Sequence, residues 1–205
     1  MLKRPLERTS PVKKITMFSS VKCNRVFFCE SALEVNALLW LEFDDAITYY
    51  ETQPDSFEYY FQGRKRRYTP DLRVFQEEKS NLEEIKPFSK CQSDDFKLKY
   101  GALTHLFSSM GETLSLTTDR EVYVGDAVSN FRLLYRYLSE PLNSNQLDRF
   151  QAKHSTINMS WEELKHRLHE CRYPPTFAFQ LLAYGYLDYD YLKHISNAME
   201  VTSAS

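Results

Sequence analysis

The sequence predicts an α/β chain that carries a small, α-rich C-terminal module. Three observations predict it. Short runs of β-branched and aromatic residues alternate with segments whose apolar residues recur at helical spacing. Up to Thr117 the signals run as helix, strands, helix, strand. Past Gly125-Asp126 they turn mostly helical, broken at Pro141-Leu142-Asn143-Ser144-Asn145 and at Tyr173-Pro174-Pro175. The expected division is therefore 1–128 and 129–205.

Ser31-Ala32-Leu33-Glu34 opens the first helix. Leu33, Ala37, Leu38 and Leu41 make its apolar stripe, and Ser31 with Glu34 three residues on reads as a capping box. Ile47–Thr52 and Phe57–Phe61 are strand candidates, and Gly63 marks a turn. Thr69–Phe75 is a third strand, with Pro70 tolerable near a strand start or edge. Leu82–Ile85 is a fourth, ended by Pro87, which has no ladder donor. Asp94 or Asp95 caps a helix to about Ser108, in which Phe96, Tyr100, Leu103 and Phe107 share a face and Gly111 is the stop. Thr113–Thr117 is a strand with two inward leucines.

In the C-terminal part Asn130 is expected to cap a helix through Leu138, and Gln146–His154 is a further helix. Ser160-Trp161-Glu162-Glu163 is a capping box ahead of Leu164 and Leu168. Pro175 suits a first helical position, Thr176–Ala183 is an apolar helix stopped by Gly185, and Tyr186–Tyr189 is a small strand.

The motif with chemistry in it is Pro70-Asp71 followed, thirteen residues after the aspartate, by Glu84-Ile85-Lys86. Metal-dependent nucleases of the PD-(D/E)xK type write their active sites this way. Two carboxylates hold Mg²⁺, which bridges phosphate oxygens and activates a water. The lysine is a positive point charge near that water or the scissile phosphate. On a strand Glu84 and Lys86 share a face with Leu82, while Glu83 and Ile85 point the other way. The ordinary alternative is a solvated strand that carries E-x-K by chance. Glu34 also has two readings, a helix cap or a third acid brought to the metal, and they compete for one carboxylate.

Net charge is −2 across 205 residues, with 42% hydrophobic and 15% aromatic residues, enough for a packed core. The charge is segregated. Residues 1–25 carry seven Lys/Arg against one Glu, residues 26–130 eleven against nineteen, and residues 131–205 eight against eight. Lys13, Lys14, Lys22, Arg25 and the run Arg64-Lys65-Arg66-Arg67 are candidates for contact with the DNA backbone. The alternative is a solvated turn and a basic arm. No apolar run approaches the ~20 residues of a membrane span, and the start lacks the apolar stretch of a signal peptide, so a cytoplasmic protein is expected. Cys23, Cys29, Cys91 and Cys171 form no C-x-x-C pair, and free thiols are expected. His166 and His169 read as a solvated helix surface, and no phosphate-loop motif for nucleotide hydrolysis occurs.

S-A-L-E at 31–34, L-W-L-E-F at 39–43, Q-P at 53–54, Y-T-P-D at 68–71 and E-I-K-P at 84–87 together resemble the TnsA family. TnsA proteins are endonuclease subunits of prokaryotic, Tn-seven-like heteromeric transposases, and the compact length is similar to those of CRISPR-associated elements. The resemblance covers roughly the first two thirds of the chain and the rest more loosely. It implies a restriction-endonuclease-like core, with Glu34, Asp71, Glu84 and Lys86 in the catalytic positions. The expected metal ligands are Asp71, Glu84 and the Ile85 carbonyl, with Glu34 completing or supporting a second Mg²⁺; Mn²⁺ should substitute. The implied activity is cleavage of the 5′ (non-transferred) strands of double-stranded DNA at transposon ends, beside the TnsB transposase and the TnsC ATPase.

Helix, tight turn, helix and small strand suggest a winged-helix-like C-terminal domain. Its would-be recognition helix, 176–183, has no Lys or Arg, and only Gln180 suits a base edge. Protein contacts are the better expectation, with TnsC the partner the resemblance implies and Tyr184, Tyr186, Tyr189 and Tyr191 as core or interface. Two other classes stay open: a stand-alone PD-(D/E)xK restriction or repair nuclease, and a non-catalytic assembly factor.

Overall fold

The computed structural model describes residues 15–77, 79–154 and 156–204. Lys13 and Lys14 lie outside them. The chain divides into two compact units, Met1–Val122 and Tyr123–Ser205. The break falls ahead of residue 128 because the helix that begins at Ala127 packs within the second unit.

The first unit is mixed α/β. It opens with an antiparallel hairpin, β1 (Thr16–Ser20) and β2 (Arg25–Cys29), then α1 (Ala32–Phe43). β3 (Tyr49–Thr52), β4 (Phe57–Phe61), β5 (Arg64–Tyr68), β6 (Leu72–Gln76) and β7 (Lys79–Ile85) follow. A short helix, α2 (Phe88–Cys91), leads to α3 (Asp94–Ser109), β8 (Leu114–Thr117) and α4 (Asp119–Val122). The main sheet has the order β3-β6-β7-β8; β7 and β8 are parallel, because α3 lies between them in the chain, and the other two pairings are antiparallel.

Local chemistry explains most of these elements. Ser31 caps α1 by accepting from the Glu34 N–H at 3.1 Å. The expected stripe of α1 buries Leu33, Ala37 and Leu38, but Leu41 is half-buried and Glu42 is buried in its place. Ser93, not Asp94 or Asp95, caps α3, and Leu103 and Phe107 form its buried face. The basic run is not a loop. Gln62 and Gly63, both at positive φ, turn β4 into β5, and Arg64 to Arg67 stand exposed on that hairpin. Tyr68 ends β5 and turns inward, joining Tyr59, Leu82, Leu103, Phe107 and Leu114 in one core.

The second unit contains α5 (Ala127–Leu138), α6 (Ser144–Lys153), β9 (Asn158–Ser160), α7 (Trp161–Glu170), α8 (Pro175–Ala183), β10 (Leu187–Tyr189) and β11 (Glu200–Ser203). The three strands make an antiparallel sheet in the order β10-β11-β9. Ser160 caps α7 through the Glu163 N–H, while the Glu163 carboxylate pairs with Arg167 at 2.6 Å. Asn130 is not a cap. It sits inside α5, buried, and its amide donates to the carbonyls of Tyr191 and Lys193 at 2.8 and 2.7 Å. The Asp126 N–H bonds to the Leu192 carbonyl at 2.9 Å, so the loop between β10 and β11 is fastened to the start of α5. Gly125 permits this approach: at φ +52, a Cβ there would stand 2.4 Å from the Leu192 oxygen.

All four cysteines are free thiols. Among the described residues no helix is long and apolar enough to cross a membrane.

Candidate functional site

β6 and β7 bring the two halves of the motif together. The Asp71 N–H bonds to the Glu83 carbonyl at 2.9 Å, which extends the β6–β7 ladder to the residue before β6. The Asp71 carbonyl accepts from the Gln53 N–H at 2.8 Å, so the aspartate backbone is clamped from both sides. Asp71 Oδ2 then accepts from the Ile85 N–H at 2.7 Å. Ile85 thus meets Asp71 through its amide; its carbonyl was the atom expected to act.

Glu84 is 8% exposed, on the buried face of β7 with Leu82. Its Oε2 accepts from the Tyr68 hydroxyl at 2.7 Å, and its Oε1 pairs with the Lys86 ammonium. The Lys86 Nζ also lies 5.6 Å from the centre of the Phe96 ring. Burial alone would lower the Lys86 pKa, but the bond to Glu84 and the charges of Glu84 and Asp71 outweigh it and hold it above the ordinary lysine value. Lys86 is therefore a fixed positive charge, not a proton acceptor, while that pair lasts.

Glu34 takes the capping part. Its Oε1 accepts from the Ser31 hydroxyl and its Oε2 from the Glu30 N–H, each at 2.8 Å. Yet it also lines, with Asp71, Gln53 and Cys29, a small cleft between α1 and the start of β6. A capping carboxylate keeps free lone pairs, so the two readings need not exclude one another.

These acids repel each other. Burial first, then Glu84 and Glu34, push the Asp71 carboxyl up to about 7, against the Ile85 N–H and Lys86, which pull it down. An all-oxygen donor set short of positive charge suits a hard divalent cation. Among the described residues, no three His, Cys, Asp or Glu side chains form a ready cage. Mg²⁺ is typically held by one or two carboxylates, water and substrate phosphate, which the Asp71–Glu84 pair can serve.

Tyr68 was not singled out by the sequence. It ends β5, a strand whose four preceding side chains are exposed, and the basic run before it concealed its inward turn. Burial first, then the Glu84 charge, raise its phenol well above the usual value, so it stays a donor. Lys99 lies over its ring at 5.7 Å.

The basic candidates differ in their freedom. Arg64 to Arg67 are exposed; Lys65 pairs with Glu58 at 2.7 Å on the surface, and Arg66 lies over the Phe61 ring. Arg25 is exposed and donates to the Tyr49 hydroxyl at 3.0 Å. Lys22 is half-buried, with its ammonium on the Asp44 carbonyl at the end of α1, where it meets the negative end of the helix dipole.

No protein-family model matches this chain, and no curated protein matches its sequence.

Proposed function

We propose that the chain is a Mg²⁺-dependent DNA endonuclease that cuts the 5′, non-transferred strands at transposon ends, acting with TnsB and TnsC. The observation that carries the proposal is the bond from the Ile85 N–H to Asp71 Oδ2. It joins the proline-aspartate and acid-x-lysine segments in one buried acidic site that includes a lysine. In this reading the sheet β3-β6-β7-β8 with α1 and α3 is a restriction-endonuclease-like core.

Asp71 and Glu84, with the Ile85 carbonyl, would hold the cation, and Glu34 would support a second. Bound there, Mg²⁺ supplies a Lewis acid and a nucleophilic water at neutral pH. Lys86 exchanges Glu84 for the scissile phosphate and stabilises its developing negative charge. Tyr68 keeps one oxygen of Glu84 fixed throughout. Arg64 to Arg67 hold the DNA backbone next to Tyr68 and Asp71 in the chain. The product is a nick with 5′-phosphate and 3′-hydroxyl ends.

The second unit, in this reading, is a winged-helix-like module adapted to protein contact. Strand, helix, helix, strand, strand in the order β9, α7, α8, β10, β11 fits it. Gln180, the one base-reading candidate on α8, is buried, and the loop that would be the wing is fastened to α5. A mostly apolar groove lined by Leu168, Tyr173, Pro174, Pro175 and Ala178, together with Lys165 and His169, offers a surface for TnsC. A cytoplasmic location belongs to the same proposal.

The test maps both strand cuts at labelled transposon ends with TnsB and TnsC present, for the wild type and Asp71→Ala. Loss of the 5′ cuts with 3′ joining retained supports the proposal; retention of both cuts sinks it. The exposed basic hairpin would serve one alternative, a stand-alone nuclease, equally well. Metal-dependent cleavage of naked DNA without TnsB would select that alternative.

A further inference from the structure

Gln53 lines the cleft with Glu34 and Asp71, and three features set it apart from an ordinary turn residue. Its side-chain oxygen is buried and has no hydrogen-bond partner among the described residues. An orphaned buried carbonyl is costly, and proteins keep few of them. Its backbone sits at φ +47, a left-handed conformation that a long side chain adopts at a cost of about 1 kcal/mol or more. The next residue is Pro54, and a residue before proline is normally held to extended backbone.

The surrounding structure imposes this conformation and aligns it with the site. The Gln53 N–H bonds to the Asp71 carbonyl at 2.8 Å, and the Ser56 and Thr69 hydroxyls meet at 2.6 Å. The turn after β3 is therefore stitched twice to the segment that ends in Asp71. Strain and an unpaired oxygen at one residue, both fixed relative to an acidic cleft, are features of a ligand position.

We propose that the Gln53 side-chain carbonyl is an oxygen ligand of the divalent cation that Asp71 shares with Glu34. This deepens the nuclease reading and rests on it. Mg²⁺ and Mn²⁺ both accept amide oxygens. A neutral third donor also suits a cleft in which Asp71 already bears the repulsion of Glu84 and Glu34. The cleft would hold the second cation, separate from the one taken by Asp71 and Glu84.

Mn²⁺ binding to the full chain, measured by calorimetry and by paramagnetic resonance, tests this without any cleavage assay. Gln53→Leu should weaken the Mn²⁺ position that Glu34→Gln also weakens, on the order of tenfold or more. Gln53→Glu, which keeps the oxygen and adds charge, should restore or tighten it. Gln53→Asn separates ligation from folding: asparagine tolerates left-handed backbone better, so the melting midpoint should hold or rise, while the shorter arm weakens Mn²⁺. Wild-type Mn²⁺ binding in both Gln53→Leu and Gln53→Asn would overturn the proposal, provided Asp71→Ala abolishes binding. If Asp71→Ala leaves Mn²⁺ binding unchanged, the nuclease reading itself falls and takes this ligand with it.

Discussion

Two buried glutamates in the first unit, Glu42 and Glu84, have much in common, and the proposed function gives them different work. Each is under a tenth exposed, and each accepts a hydrogen bond from a tyrosine hydroxyl, Tyr50 for Glu42 and Tyr68 for Glu84. They differ in the other donors. Glu42 also takes the Ser20 hydroxyl and the Val21 and Lys22 backbone amides, at 2.5, 3.0 and 3.1 Å. Those donors belong to the β1–β2 turn and cannot leave without unfolding it. The second oxygen of Glu84 is met by Lys86, a half-buried side chain that can swing away, and a second carboxyl, Asp71, stands close by and is pushed up by Glu84. Burial alone does not mark a functional carboxylate. In the proposed reading, an exchangeable donor and a second carboxyl close by are what mark Glu84.

The largest expected effect separates the two. Glu84→Gln should lower metal-dependent cleavage by about 1000-fold, since several kcal/mol of transition-state stabilisation depend on a metal ligand. Its melting midpoint should stay close to wild type, because Tyr68 keeps an oxygen to donate to. If Glu84→Gln cleaves at the wild-type rate, the contrast between the two glutamates disappears.

Glu42→Ala should do the reverse. It strands two hydroxyls and two backbone amides, for a loss of about 3 kcal/mol or more in denaturant unfolding. Cleavage per folded molecule should not change. A Glu42→Ala protein that is fully stable but inactive would show that Glu42 belongs to the site.

These two glutamates also show what a sequence exposes. Glu84 and Lys86 were legible because strand alternation is local and Asp71 lies one hairpin away. The capping role of Glu34 was legible for the same reason, since its partners are three and four residues off. Glu42 was not: its donors lie some twenty residues upstream and on β3, and no local spacing singles it out. Asn130 read as a helix cap for want of its true partners, about sixty residues downstream. Tyr68 was hidden by the basic run before it, and its inward turn depends on β4 and on a core built with α3. Likewise the unpaired oxygen of Gln53 exists only once the turn after β3 is stitched to Thr69 and Asp71.

Matched deletion of the two tyrosine hydroxyls sharpens the comparison at smaller scale. Tyr68→Phe keeps the ring and its packing, 6.0 Å from Phe107, and removes only the donor that orients Glu84. Loss of such an outer partner costs about 10–100-fold in metal affinity. Tyr50→Phe removes the same atom from Glu42 and should cost about 1–2 kcal/mol of stability with metal affinity unchanged. Titrating Mn²⁺ into both proteins checks this. Equal affinities would reduce Tyr68 to a packing residue.

The smallest effect is in the pH dependence, and its sign follows from Asp71. Its carboxyl is pushed up to about 7, so the folded metal-free protein keeps a proton that the unfolded chain releases at about pH 4. The stability from that proton is complete below about pH 4 and is lost as pH rises through about 7. A cation must displace the same proton. Metal affinity should therefore rise about tenfold per pH unit below about 7 and level off above it. Calorimetry in two buffers of different ionisation heat should find about one proton released per cation near pH 6 and almost none near pH 8. Asp71→Asn should abolish that release, while Glu42→Gln should leave it in place, because the Glu42 donors lie outside the cleft. A metal affinity flat from pH 5.5 to 8 would mean that Asp71 is not held protonated by its neighbours, and the distinction between a closed and an open carboxylate centre would then rest on Lys86 alone.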